Sequence, residues 1–429
     1  MSGRIGALLP HLTAATLLRT SAEGAATAIV LTVAARTGKA ADAGFLQTAL
    51  LLPYVVSGPV IGHVLDRTSR PRAAAMALAA GYAVATALLF LMAGRTALAL
   101  ALLVAAVAGC TEPIVVALTS LLPRYVPADL LSRAYGLEAS SYSVAAIAGP
   151  GLAAALASSA GGSGAGLAMV VTAVVGAVAL AFLPVATAAS ETAAGKKPPP
   201  GEKPPPGGEP RQEEPGPRPR PQGSRALADV VAGGLTVLVS NPGLRALTAA
   251  TTAGWLGFGG VAVAAVLFAE HLGEDADAGG RLLVAFAIGS LIGSLASSRW
   301  LKARQAHLVV PGGLAAFGAA LAAVALAPTL FWALLCFLLV GIAEGPVFTA
   351  TLMLRQRESP PDRLGQVNTT GGSLKIGASA LGAALTGAFA DAVGPVGLLL
   401  GIAACQFAGA ALGLPLLRVR PVPAREAAD

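Results

Sequence analysis

Long apolar blocks separated by short polar ones organise this chain, and no strict alternation of the kind a half-buried strand needs runs through it. The apolar runs are roughly 20 to 28 residues, about what an α-helix rising 1.5 Å per residue needs to cross about 30 Å of hydrocarbon. The pattern predicts helical spans near 11–35, 43–65, 73–93, 97–123, 134–159, 164–189, 243–269, 280–300, 307–327, 330–354, 365–390 and 395–417. Between 191 and 224 the pattern breaks into two Pro-Pro-Pro runs, Glu213-Glu214 and alternating Pro and Arg, a composition too poor in apolar groups to offset chain entropy. The expected organisation is a six-helix bundle over 1–190, a Pro-rich disordered linker on the cytoplasmic side over 191–230, a second six-helix bundle over 231–418 and a tail over 419–429.

Composition agrees with a bilayer protein. Hydrophobic residues make up 55% of the chain and charged residues 12%, and the mean hydropathy of +0.72 leaves too little charge to solvate a water-exposed surface. The fold class expected is all-α and membrane-spanning, with the lipid bilayer as the chain's first partner. The first apolar run is too long for a cleavable signal and is read as a true span.

The net charge of +7 changes the picture only through its placement. Arg67, Arg70, Arg72, Arg124, Arg133, Arg299, Lys302, Arg304, Arg355, Arg357 and Arg363 fall in alternate turns, and the opposite turns carry only Arg36, Lys39, Arg95 and Arg281. Short loops rich in Lys and Arg stay in the cytoplasm, so both termini are expected there, with Arg4, Arg418, Arg420 and Arg425 on the same side. No basic patch with interleaved aromatics suggests nucleic acid. Cys110, Cys336 and Cys405 lie inside spans without metal-ligand spacing and read as packing residues, and His11, His63, His271 and His307 stand near span ends, too scattered for a catalytic or metal site. An enzyme is not expected, and neither is a metal or other cofactor.

The turn Gly62-His63-Val64-Leu65-Asp66-Arg67-Thr68-Ser69-Arg70-Pro71-Arg72 carries the most information. Its Gly62, Asp66, Arg67, Arg70 and Arg72 resemble the loop between the second and third helices of major facilitator superfamily transporters. A weaker copy at Gly293 to Arg304 keeps the glycine and the cations, and Gly109 to Pro113 is echoed by Gly341 to Gly345, as two repeated halves would require. The resemblance implies a fold of two six-helix repeats with a cargo site near the midplane. It also implies a latch, in which Asp66 meets the positive N-terminal end of the eleventh helix near Arg363-Leu364-Gly365 and the arginines pair with neighbouring acids.

Ionisable groups inside spans cost roughly 3 kcal/mol to insert and point to function. Glu23, Glu112, Glu344 and Lys375 all fall roughly 15 to 18 Å from the basic end. Arg19 and Glu23, four apart on one helix face, are expected to pair, and so are Glu344 and Lys375 across adjacent helices. The alternative for each pair is charge neutralisation with no part in transport. Glu112 has no cation in its own span and precedes Pro113, which makes it the leading proton-responsive candidate, a hydrogen-bonded structural glutamate being the other reading.

Gly136, Ala145, Gly149-Pro150 and Ala153-Ala154 are similar to the fifth-helix signature of drug–proton antiporters in that superfamily, whose Gly-Pro bends the helix; three of the six positions carry Ala for Gly. The arginine such exporters place four residues before the glycine of the fourth helix is Ala105 here, so Arg19, Glu23 and Glu112 would carry coupling, or the carrier is a uniporter or uses another ion. Gln47, Tyr142, Trp255, Asn368 and Gln406 are candidate cavity residues, and Trp300 and Trp332 read as interfacial anchors. So few polar groups suit an amphipathic small molecule better than a sugar. The expected function is proton-driven efflux by a monomeric carrier in a bacterial plasma membrane, with an importer or uniporter of a small metabolite as the alternative.

Overall fold

The computed structural model describes residues 8–37, 40–183, 223–274 and 277–418, and all their regular structure is helical. Eleven helical stretches are long and apolar enough to cross a bilayer, the last of them Leu364–Arg418 with 55 residues. Gly394, at φ 68° and ψ 173°, breaks that stretch into two rods and so supplies the twelfth span. A positive φ of this kind is open to glycine at little steric cost, and Pro395 starts the following helix. The Leu8–Thr37, Phe45–Arg67 and Leu98–Arg124 stretches are spans 1, 2 and 4; Ala128–Ala160 is span 5, Pro242–His271 span 7, Ala278–Trp300 span 8 and Leu330–Glu358 span 10. Spans 11 and 12 lie either side of Gly394.

Three spans are interrupted at mid-depth, and the sequence shows why. Span 2 breaks at Pro53, between Ala40–Leu51 and Tyr54–Arg67. Span 4 breaks at Pro113, between Leu98–Thr111 and Ile114–Ala117, and then tightens into a 3-10 turn over Leu118–Arg124. Proline has no N–H for the i−4 carbonyl, so each interruption frees backbone groups for other partners. Span 7 breaks at Gly259-Gly260, where a Cβ on Gly260 would overlap the Thr386 hydroxyl. Pro150 and Pro346, by contrast, sit inside continuous helices.

Close helix approach substitutes for the hydrophobic drive that water would supply. Gly289 and Gly293 of span 8 rest on the carbonyls of Leu338 and Ile342 in span 10, and Gly341 and Gly345 of span 10 rest on Phe286 and Ser294 of span 8, two GxxxG faces meeting reciprocally. Replacing Gly341 by valine drives a side chain into the Phe286 carbonyl, an overpacking that costs about 1–3 kcal/mol. Gly341→Val is therefore expected to lower the melting temperature in detergent, whereas Gly151→Ala, where a Cβ meets nothing within 4 Å, is not. Equal melting of the two variants would remove this account of the interface.

Apolar side chains such as Val84, Leu88, Leu103, Val107, Val171 and Ile292 are exposed on the outer faces, as a lipid-facing surface requires, and Trp300 and Trp332 are exposed at span ends. Each half has its own apolar core. A further cluster joins the halves at the Arg-rich end, where Tyr135 and Ala139 pack with Leu247, Val310 and Leu352. The helix Gly223–Ser240 takes up the last residues expected in the linker. The rest of the Pro-rich segment and the tail 419–429 lie outside the described residues.

Candidate functional site

The breaks of spans 2 and 4 border one cavity, which Leu51, Tyr54 and Glu112 line. It encloses about 300 Å³ between the halves and is walled by Arg19 and Glu23 of span 1, Tyr54 of span 2, Glu112 of span 4, Tyr142 of span 5, Trp255 of span 7, Phe348 and Arg355 of span 10, and Asn368 and Lys375 of span 11. A smaller neighbouring cavity shares Trp255, Phe348 and Lys375 and adds Glu344 and Gln406. The sequence-predicted residues Tyr142, Trp255 and Asn368 are thus brought together at the larger cavity and Gln406 beside it. Gln47 lies outside the walls of both.

Arg19 does not pair with Glu23. Its guanidinium turns to Glu138 of span 5, with Nη2 donating to Oε1 at 2.6 Å. It also donates to the Val115 carbonyl at 3.1 and 3.0 Å, to Thr119 Oγ1 at 3.2 Å and to Ser141. Val115 lies in the short helix Ile114–Ala117 just past the Pro113 break. The Tyr142 ring covers the guanidinium at 3.6 Å. Glu138 is completed by Thr119 Oγ1 at 2.8 Å and His11 Nε2 at 3.0 Å, and the other ring nitrogen of His11 meets the Tyr125 hydroxyl. Arg19, His11 and Glu138 are all essentially inaccessible. His11 is therefore part of a buried network rather than an isolated residue at a span end.

That leaves the acids facing the cavity without this arginine. Glu112 follows the last turn of Leu98–Thr111, and its Oε2 is buried with no hydrogen-bond partner among the described residues. The Tyr54 hydroxyl, also on the cavity wall, is in the same condition. Glu23 lies on the same wall.

The predicted Glu344–Lys375 pair is also absent at ion-pair distance among the described residues. Glu344 instead accepts from Ser290 Oγ at 2.5 Å, and Ser290 meets Ser143 of the other half at 2.9 Å. The Lys375 ammonium stands 5.3 Å from the Trp255 ring centre and 5.4 Å from that of Phe348, a cation held against aromatic faces. Arg355, read from the sequence as a loop cation, is 3% exposed. Span 10 runs on to Glu358, one turn further than its apolar run, and carries Arg355 inside. Its Nη1 makes a long contact to the Asn368 carbonyl, 3.4 Å, while Nε and Nη2 have no partner among the described residues.

Asp66 takes the position expected of it. Its Oδ1 accepts from Gly365 N and its Oδ2 from Gln366 N, both at 2.8 Å, so the carboxylate caps the first turn of span 11 and meets the helix dipole there. Gly62 makes the approach possible, because a Cβ would overlap the Gly365 carbonyl. The neighbouring arginines do not pair with acids: among the described residues Arg67, Arg70 and Arg72 make no ion pair. Arg124 does part of the work by donating to the carbonyls of Leu65 at 3.0 Å and Asp66 at 3.3 Å. Gln366 is held a second time, its side-chain amide donating to the Val230 carbonyl of the helix Gly223–Ser240.

Gly136 and Gly149 serve close packing. A Cβ on Gly136 would lie 2.5 Å from the Ser298 Cβ of span 8, and one on Gly149 would lie 2.6 Å from the Gly24 nitrogen of span 1. The helix passes Pro150 unbroken. Gly149–Gly24 lies within the first half, whereas Gly136–Ser298, with Asp66–Gly365, Ser373–Tyr54 at 3.3 Å, Ser143–Ser290 and the Tyr142–Phe348 ring contact at 4.9 Å, joins the halves from the Arg-rich end to mid-depth.

Comparison with known proteins bears on this arrangement. The pattern of the Major Facilitator Superfamily matches residues 12–375 and, in an overlapping match, 250–429. An uncharacterized MFS-type transporter of Sinorhizobium fredii, y4rN, is 25% identical over 418 residues, covering 96% of each chain. Among solved structures, the human organic anion transporter MFSD10 superposes with a TM-score of 0.70 at 16% identity, over 96% of this chain and 98% of that one. A bacterial homologue of the iron transporter ferroportin gives 0.65 at 15% identity over 96% and 98%, and the proton:xylose symporter XylE gives 0.68 at 13% identity over 97% and 95%.

Proposed function

The chain belongs to the major facilitator superfamily and is a transporter of that class, and we propose that it exchanges protons for a small amphipathic molecule and exports it by alternating access across a bacterial plasma membrane. The Arg-rich end is then cytoplasmic, with both termini on that side. Contacts between the halves run from this end to mid-depth, so the conformation described is closed to the cytoplasm. The solved neighbours carry organic anions, iron or xylose, so the shared fold does not select a cargo and the cavity has to.

One observation carries the coupling. Glu112 presents a carboxylate oxygen without a partner among the described residues, beside Glu23, in a cavity otherwise walled mainly by apolar and aromatic side chains. A carboxylate that faces a cavity opened to water on one side at a time can take up a proton on one side and give it up on the other, which is what an exchanger needs. Ala105, where the exporter pattern has arginine, is buried in the N-terminal core, and Arg19 is committed to Glu138. Proton binding therefore rests on Glu112 and Glu23, with Tyr54, Tyr142, Arg19, Arg355 and Lys375 as the other ionisable groups on that cavity wall among the described residues. A second reading, import of a metabolite, is favoured by the polar wall of Arg355, Asn368 and Lys375.

The test is proton movement in proteoliposomes given lipophilic acids, bases and dyes, with and without an imposed pH gradient. Cargo accumulating against its gradient as protons flow the other way is expected, and Glu112→Gln is expected to abolish the dependence on pH gradient. Proton and cargo moving in the same direction would establish import instead. Glu112→Gln with its gradient dependence intact would move the proton site elsewhere.

A further inference from the structure

The two halves present opposite charge to the cavity. Glu23 and Glu112 come from the first half and Arg355 and Lys375 from the second. On the first side the one cation, Arg19, is neutralised by Glu138. The second side has no such direct pairing: Arg355 and Lys375 are 3% and 5% exposed, neither has an acid at ion-pair distance among the described residues, and Glu344, which shares the smaller cavity with Lys375, is bonded to Ser290 instead. Burying a cation without a counter-charge is costly, and a structural role would be met by a carboxylate, as at Arg19.

The two cations are held on one patch. The Arg355 guanidinium lies on the bare Cα of Gly371, where a Cβ would stand 2.5 Å from Cζ, and Lys375 follows one turn later on the same helix face. The Arg355 Nε and Nη2 are left without partners among the described residues. Trp255 and Phe348 flank the Lys375 ammonium and continue the wall away from it.

We propose that Arg355 and Lys375 form a carboxylate-binding subsite and that the cargo is a small organic acid whose aromatic or branched apolar body lies against Trp255 and Phe348. The inference rests on the reading that this cavity is the cargo site. The fork of a guanidinium matches the two oxygens of a carboxylate, and the ammonium supplies a second charge from the side. The acids of the opposite wall can accept protons and so lose their repulsion for an anion, whereas the guanidinium keeps its charge.

The probe is radiolabelled naphthalene-2-carboxylate, with its binding to the full-length purified protein in nanodiscs followed by scintillation proximity and no gradient applied. Unlabelled naphthalene-2-carboxylate is expected to displace it, with naphthalene-2-carboxamide and 2-naphthylmethylammonium at least about tenfold weaker, the loss of one charge-assisted hydrogen bond. Arg355→Gln and Lys375→Gln are each expected to weaken binding by roughly 10- to 100-fold, Arg355→Lys to recover part of it, and Gly371→Ala to weaken it by displacing the guanidinium. Each variant is compared at an unchanged melting temperature and a monodisperse profile, with Gly151→Ala as the neutral control.

Equal displacement by the carboxamide, or unchanged binding in both glutamine variants, overturns the subsite and leaves the cavity as a cargo site. Absence of any saturable binding overturns both. Carboxylate binding that follows the pattern above without proton exchange in proteoliposomes upholds the subsite and overturns the coupling alone.

Discussion

Glu138→Ala is expected to leave little folded protein in the membrane. Glu138 and Arg19 are 0% and 1% exposed and meet at 2.6 Å. Removing the carboxylate strands a guanidinium with four remaining neutral acceptors and deprives His11 and Thr119 of theirs. Breaking a buried pair from one side costs about 3–5 kcal/mol, against a total stability of roughly 5–15 kcal/mol for a typical fold. The measurement is the yield and melting temperature of detergent-extracted protein. Replacing both partners, Arg19→Leu with Glu138→Leu, removes both charges and is expected to recover part of the loss. Glu138→Ala melting with the parent protein would show that the network does not hold spans 1, 4 and 5 together.

Asp66→Asn is expected to have the second largest effect, on conformation rather than folding. Both carboxylate oxygens accept backbone N–H groups of Gly365 and Gln366. Asparagine offers one oxygen and turns an NH₂ toward the second N–H, donor against donor. The loss of a charged acceptor at a helix N-terminus is about 1.5–3 kcal/mol, which moves a two-state equilibrium by roughly 10- to 100-fold toward the state open at the Arg-rich end. Ser298 packs against Gly136 across the halves at that end. A cysteine at position 298, in a protein whose three natural cysteines are replaced, is expected to react faster with a maleimide in the Asp66→Asn background, and transport to slow. Unchanged labelling and rate would reduce Asp66 to a helix cap.

Span number, the six-and-six division and the Asp66 contact were legible because each has a local signal: apolar run length, a composition break, a turn with fixed spacing. The long-range pairings were not, and the reason is specific. Arg19 has an acid four residues away, and intrahelical spacing favoured it, yet in a bilayer the partner that matters is the one on the neighbouring helix. A signal for Glu138 did exist: His11 and Arg19 are eight apart, two turns on one face, and a face with two basic groups entering a core asks for an acid opposite. Arg355 was misplaced for a different reason. A span was ended where its apolar run ended, although a helix keeps going until its cap, here Ser359 with its N–H on the Arg355 carbonyl. Gly149-Pro150 shows the limit of pattern: the residues are where the resemblance puts them, and their observed work is close approach to Gly24.

Gln366 gives its backbone N–H to Asp66 and its side-chain amide to Val230. The segment that leads out of the linker is thus moored to the very residue that closes the Asp66 contact. Tension on the chain near residue 230, from a fused domain or a tethered surface, reaches the first turn of span 11 through that hydrogen bond and through the packing of Gly234 on Gln366 and Thr370 and of Leu238 with Val367, so an affinity tag inserted there is mechanical load on the latch rather than a neutral handle.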